Sequence, residues 1–418
     1  MQAMKSQRYH RSYSPTIALL ALVVASTLPA VESFPRPFLS AVTLGTSTKP
    51  NSNSNTKLGV GSFLDGILGK SGGDQIDPTS LPITTETIDL SSGVSAEVKS
   101  CIPPSARRNY GKPPLVFIHG SFHAAWCWTE RYFPYFASKG YPCIAVSLRG
   151  TSGTYAGEGV KRVKIAEHVA DVSSLLDHIQ SAEGMNLSMK PVLISHSFGG
   201  LAVMKLIEED PAAAQAKISG AALLCSVPPS GNGKMTMRFL RRSLRDSWKI
   251  TAGLAMRKWN DDPVLCRELF FGGSGGAEGD NGDNLGVTDE DIERYQGNFR
   301  RDVDNLGVTD EDIERYQGNF RRDVDATINL GDLAKKLPSA CAENNGRASF
   351  ASYLPPSLVV GATDDFIVDK EGVEETARFF DVDPVFVDSP HDVMLTNKWQ
   401  NGADALLDWL ERDITCSA

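Results

Sequence analysis

The stretch Leu193-Ile194-Ser195-His196-Ser197-Phe198-Gly199-Gly200 decides how the chain is read. It joins a short apolar run, Pro191–Ser195, to a segment of helical period, Phe198–Glu209, with almost no residues between them. A buried strand that passes into a helix this abruptly turns sharply at Ser197. The residues two before and two after the turn must then be small. Ser195 and Gly199 meet that need, with Ser195 standing where the G-x-S-x-G form of such an elbow has its first Gly.

The same alternation extends in both directions. A hairpin pattern at Ile83–Leu90 and Val94–Cys101 surrounds Ser91-Ser92-Gly93. Apolar runs follow at Leu115–His119, Cys143–Leu148, Ala221–Ser226, Leu358–Gly361 and Val385–Asp388. Between most of them lie helical periods. Ile165, Val169, Val172, Leu176 and Ile179 form one, and Glu371–Phe380 and Lys398–Arg412 carry others. Continuous apolar strands alternating with helices predict an α/β fold, a mostly parallel sheet with helices on both faces.

Residues 227–355 break the alternation, with no strand pattern and many charged, helix-favouring residues. This segment is expected to be an inserted helical cap between core parts 76–226 and 356–418. Within it NLGVTDEDIERYQGNFRRDVD occurs twice without a difference, at 284–304 and 305–325. Two perfect copies point to a recent duplication, since repeat architectures diverge and need three or more units. Each copy offers a helix start at Thr288 or Thr309, with Asp291 or Asp312 as capping-box partner. One copy is expected to pack through Ile292 and Tyr295 or through Ile313 and Tyr316, and the other to be dispensable.

A serine hydroxyl is a weak nucleophile until a base takes its proton and an acid orients that base. On this strand–helix pattern the order is Ser, acid, His, at the ends of later strands. Of seven histidines only His391 lies downstream of His196, in Val387-Asp388-Ser389-Pro390-His391-Asp392. The acid follows the preceding apolar run, where Asp364 and Asp365 compete. The N–H groups of Ser121 and Phe198 are candidates for an oxyanion hole, after His119-Gly120 and after the nucleophile. His119 and His123 read as residues that hold loop geometry, and His168 and His178 as surface or packing residues on a helix.

Here a resemblance becomes specific. Val116-Phe117-Ile118-His119-Gly120-Ser121-Phe122-His123-Ala124-Ala125-Trp126-Cys127-Trp128 resembles the HG-x-x-H-x-x-W-x-W block of the plant methylesterase and hydroxynitrile-lyase branch of the α/β-hydrolase superfamily. The likeness covers about residues 113–225 and 355–412, and the later blocks also resemble plastid-directed α/β-hydrolases of algae and plants. It implies Ser197 as nucleophile, His391 as base and, by a gapless match from the strand, Asp365 as acid. The activity implied is hydrolysis of a small-molecule carboxylic ester by a serine esterase. Two alternatives remain: a non-catalytic ligand-binding protein of the same fold, and a hydroxynitrile lyase. Lyases of this branch carry Lys immediately after the His, where this chain has Asp392, so lyase chemistry is disfavoured.

Composition bounds the rest. Of 418 residues 41% are hydrophobic and 22% charged, which excludes a disordered chain and a polytopic membrane protein. Seven scattered cysteines without a C-x-x-C pair give no disulfide scaffold, and no metal or cofactor motif is present. Residues 74–418 hold 35 basic against 49 acidic side chains, which repels nucleic acid. Lys5, Arg8 and Arg11 precede an apolar run from Ile17 to Leu28, the flanks and length of a signal peptide over 1–33. Residues 34–75 are rich in Ser and Thr and resemble a transit peptide, with Phe34 at the junction. Together they resemble the bipartite presequence of algae with complex plastids. Plastid is the expected location, secretion or the endomembrane system the alternative, and no span is expected in the mature protein.

Overall fold

Each apolar run lies inside one sheet. The structure, a computed structural model, describes residues 81–104, 111–242, 259, 262–271, 309–322 and 326–415. The expected signal and transit segments lie outside them. An opening hairpin, β1 (Thr84–Asp89) and β2 (Ser95–Cys101), is followed by β3 (Leu115–Ile118), β4 (Cys143–Val146), β6 (Val192–His196), β7 (Gly220–Leu224), β9 (Ser357–Ala362) and β10 (Val385–Val387). The eight strands lie in the order β1-β2-β4-β3-β6-β7-β9-β10. Pairing is antiparallel for β1–β2 and β2–β4 and parallel for the rest. The four-residue β3 and β4 and the five-residue β6 and β7 are buried throughout. Such strands read as unbroken apolar runs because helices cover both faces. Each Leu, Ile or Val in them contributes about 1.5–3 kcal/mol by leaving water.

The helices are α1 (Trp126–Thr129), α2 (Tyr132–Ser138), α3 (Ile165–Gln180), α4 (Phe198–Glu209), α5 (Pro211–Lys217), α6 (Asn232–Arg242), α7 (Pro263–Cys266), α8 (Asp310–Arg322), α9 (Leu330–Leu333), α10 (Lys370–Phe380) and α11 (Trp399–Trp409). Helix α3 turns Ile165, Val169, Val172, Leu176 and Ile179 inward, as their spacing predicts. Helix α7 runs on as a π-turn, Arg267–Phe271. No helix among the described residues is long and apolar enough to cross a membrane.

The described residues between β7 and β9 are mostly helical, with one correction to the sequence reading. Residues Thr327–Ile328 form a strand, β8, paired in parallel with β5 (Arg162–Val163). Two residues are too few to leave a periodic trace. The start of this segment is tied to the core by Arg238, whose guanidinium donates twice to Asp369 at 2.7 and 2.6 Å.

The second copy of the repeat supplies α8. Its start is the expected reciprocal cap: Thr309 Oγ1 accepts from Asp312 N–H, and Asp312 Oδ2 accepts from Thr309 N–H, both at 3.1 Å. Ile313 and Tyr316 are each 1% exposed. The Tyr316 ring stacks between Trp126 and Phe271, with centroids 5.9 and 5.3 Å away. Gln317 donates to the Trp259 carbonyl at 2.6 Å. The first copy, with Thr288, Asp291, Ile292 and Tyr295, lies outside the described residues. Because the copies are identical, removing Asn305–Asp325 leaves a chain that still offers one Thr–Asp cap and one Ile–Tyr pair to the same seat. Shortening a connection changes closure entropy only logarithmically. The deletion is therefore expected to keep the melting temperature within error of the parent. A lost transition in a thermal melt would show that both copies are integral.

Candidate active site

The turn after β6 is a strained one. Ser197 sits at φ 52°, ψ −119° and heads α4. Phe122 (φ 68°) and Cys225 (φ 44°) also have left-handed backbones. Three of the six non-glycine residues with positive φ among the described residues thus belong to the loops after β3, β6 and β7. Strain of this kind persists where the surroundings over-determine it, and it gathers at working sites.

Close backbone approach explains the small residues around the turn. A Cβ on Gly199 would fall 2.7 Å from the carbonyl oxygens of both Ile118 and His119. A Cβ on Gly120 would lie 2.9 Å from Ser197 Cβ and 3.0 Å from His196 Nδ1. The loop after β3 therefore rests directly on the serine. Ser195 fits where a Gly is usual because it is fully buried and its hydroxyl donates to the Ala222 carbonyl of β7 at 3.2 Å. Neither the Ser121 nor the Phe198 N–H has an acceptor among the described residues, as two oxyanion donors require.

The two competing acids are separated by the structure. Asp365 Oδ1 accepts from the N–H groups of Ile367 and Val368, both at 2.8 Å. Thus anchored, its carboxylate meets His391 Nδ1 at 2.9 and 3.0 Å. Asp364 turns outward, 58% exposed, with only the Lys398 ammonium 3.8 Å away. A carboxylate only accepts, so His391 carries its proton on Nδ1 and keeps the Nε2 lone pair. Burial disfavours the imidazolium, but the charge and hydrogen bond of Asp365, helped by Asp392, outweigh it and hold the His391 pKa above its ordinary value. The Cys225 thiol lies within 4.8 Å of Asp365 and His391. Burial, then the Asp365 carboxylate, pushes its thiol pKa far up, so it stays neutral.

His119 holds loop geometry, as expected. Its Nδ1 donates to the Gly120 carbonyl at 2.7 Å and its Nε2 accepts from Leu148 N–H at 2.8 Å. Burial pushes its pKa down to about 3. His168 is buried on α3 beside Phe198, a packing residue whose pKa burial lowers to about 4. His123 does more than shape a loop. Its Nδ1 faces the Ser121 carbonyl at 2.9 Å, and its Nε2 meets the carboxylate of Asp392, also at 2.9 Å. No sequence signal announces that pair, whose members lie 269 positions apart.

Among the described residues two triplets bring metal-ligating atom types within 4.8 Å: the buried His196, His391 and Asp392, and Cys225, Asp365 and His391. One nitrogen of each of these histidines already donates within the protein. Nδ1 of His391 is protonated toward Asp365, and Nε2 of His196 donates to the His391 carbonyl at 3.0 Å.

The strained serine after a central strand, the buried Asp–His pair after two later ones and the sheet order define an α/β-hydrolase architecture. The profile described as "Alpha/beta hydrolase family" matches residues 115–403, and the chain belongs to that family. The chain is 32% identical over 115 residues to Norfluorocurarine synthase 1 of Strychnos nux-vomica, covering 28% of this chain and 39% of that protein. It is 32% identical over 119 residues to Methylesterase 1 of Arabidopsis thaliana, covering 28% and 41%. The matches thus span about two fifths of the length of these relatives. Among solved structures, an epoxide hydrolase from Vigna radiata is similar with a TM-score of 0.47 and 17% identity, over 79% of this chain and 98% of that one. The expected fold and the methylesterase-like resemblance are borne out.

Proposed function

We propose that the protein is a serine esterase that cleaves a small carboxylic ester through an acyl-enzyme. One observation carries this reading: His391, fixed by Asp365 in the tautomer with a free Nε2 lone pair, shares the sheet's end with a serine held in a strained turn. Ser197 Oγ attacks the ester carbonyl carbon while its proton passes to His391 Nε2. The oxygen that takes up the displaced electron pair is met by the N–H groups of Ser121 and Phe198. Collapse breaks the bond to the alkoxy oxygen, which leaves as the alcohol with the proton from His391. Water then adds to the acyl carbon, gives one proton to His391 and displaces Ser197, which recovers it. The balance is ester and water to acid and alcohol. The partial likeness to Arabidopsis Methylesterase 1 supports the ester as substrate class.

A cyanohydrin lyase would need a cation beside His391. The next position holds a buried carboxylate instead, Asp392. Labelling of Ser197 by a fluorophosphonate, with turnover of a short-chain p-nitrophenyl ester, tests the proposal. A protein that binds such esters without labelling or turnover would be a receptor of the same fold.

We further propose plastid delivery through the secretory route, supported by the basic and apolar start of the sequence and its Ser/Thr-rich continuation. A fluorescent protein fused to residues 1–75 is expected to enter the plastid of an algal host and to lose that destination on Phe34→Ala. Secretion of both fusions would overturn this.

A further inference from the structure

Directly behind the base lies a second ionisable pair that the mechanism above leaves unused. Asp392 and His123 are buried side chains, 0% and 1% exposed, in contact at 2.9 Å. Taking such a pair out of water gains little stability over apolar filling, so its presence asks for another explanation.

Counting protons shows what the pair holds. His123 Nδ1 faces a carbonyl oxygen, which only accepts, so that nitrogen carries a proton. His123 Nε2 faces a carboxylate oxygen, and a hydrogen bond there needs one proton more, on one side or the other. Burial alone would protonate Asp392, but His123, then His196 and His391, outweigh it and hold its pKa below the usual carboxylate value. A carboxylate oxygen only accepts, so the 2.9 Å contact is a charge-assisted hydrogen bond donated by His123 Nε2.

The other oxygen of that carboxylate, Oδ1, lies 3.7 Å from His196 Nε2, next to the base. A ring nitrogen of His391, one of His196 and an oxygen of Asp392 lie within 4.8 Å of one another. His196 fills the space between, with ring centroids 4.7 Å from His391 and 5.8 Å from His123. Its Nε2 donates to the His391 carbonyl at 3.0 Å. Its Nδ1 has no partner among the described residues. Burial first, and then His391, keep it neutral. The backbone closes the arrangement: Val393 N–H also donates to the His391 carbonyl, and Asp392 N–H donates to the Phe270 carbonyl.

We propose that Asp392, charge-paired with His123, is a positioning residue that backs His391 through His196 and favours its imidazolium, so that the base works between two carboxylates. This rests on reading His391 as the base. The groups facing His391 are Asp365 after β9, Cys225 after β7, His196 on β6 and Asp392 itself. Those facing Asp392 are His123, His196, His391, Cys127 on α1 and Cys225. Both thiols are neutral, so no other anion of this set replaces Asp392 if it is lost.

The test uses the full chain labelled with ¹⁵N-histidine, and follows His391 by NMR across pH in the parent, Asp392→Asn and His123→Gln proteins. Asparagine keeps the shape and an acceptor for His123 but removes the charge. The His391 midpoint is expected to fall by about one pH unit, as for loss of an opposite charge within 4–6 Å. With p-nitrophenyl acetate, the acid limb of kcat/KM should move down by the same amount. Purely structural damage would lower the rate without moving that limb. In His123→Gln the buried carboxylate loses its histidine partner and takes up a proton, so the midpoint should move the same way, and this arm stands if Asp392→Asn does not fold. A His391 titration that superimposes on the parent's in either folded variant overturns the proposal. A parent that neither labels nor turns over ester overturns the esterase reading separately, since the NMR titration needs no substrate.

Discussion

Ser197→Ala is expected to lower ester turnover by at least about 10³-fold, leaving the residue that substrate binding and oxyanion stabilisation supply. In the proposed mechanism nucleophile and base act as one unit, so losing the hydroxyl would also idle His391 and Asp365. The fold should be spared. The substitution removes one oxygen from a site that is 7% exposed, and it leaves a backbone that already sits at φ 52° with a Cβ in place. The hydrogen bonds that shape the turn run through the backbone, from Ser197 N–H to the Leu224 carbonyl and from Val227 N–H to the Ser197 carbonyl. A thermal melt unchanged within a few degrees, beside the lost turnover and lost fluorophosphonate labelling, would separate chemistry from stability. Turnover near the parent's level would move the nucleophile elsewhere.

How far the sequence reaches depends on whether the physics is local. The elbow is local: five buried strand residues, one turn and twelve helical residues lie in unbroken order, and the structure ends and starts them at His196 and Phe198. The cap of the second repeat is equally local, three residues from Thr309 to Asp312. Helices α1 and α2 escaped the reading because four and seven residues rich in aromatics show no helical period. Tertiary packing makes them, with Phe117 on β3 meeting Trp128, Tyr132, Phe133 and Phe136. The His123–Asp392 pair escaped for a stronger reason. Its members have no spacing relation, and only the convergence of the loop after β3 with the loop after β10 brings them together. From the sequence, Asp392 could be read only as the lysine it is not.

The choice between Asp364 and Asp365 marks the boundary between these two cases, and it yields the second large effect. Adjacent acids after a strand alternate in direction, so one faces the site and the other faces water. The sequence does not fix which. The structure assigns the inward place to Asp365, because the Ile367 and Val368 N–H groups draw its Oδ1 into the turn. Asp365→Asn should keep those two bonds by placing its amide oxygen there, which leaves the NH₂ group facing His391. A donor opposite Nδ1 selects the other tautomer, with the proton on Nε2, and that nitrogen can no longer accept from Ser197. The expected loss in kcat is about 10³–10⁴-fold, the scale seen when an orienting acid loses its charge but keeps its shape. Asp364→Asn removes only a surface carboxylate 3.8 Å from Lys398, so kcat should change less than about twofold. Measuring both variants against one p-nitrophenyl ester ranks them directly. The reverse ranking would transfer the acid's role to Asp364 and require the loop after β9 to turn the other way in the working enzyme.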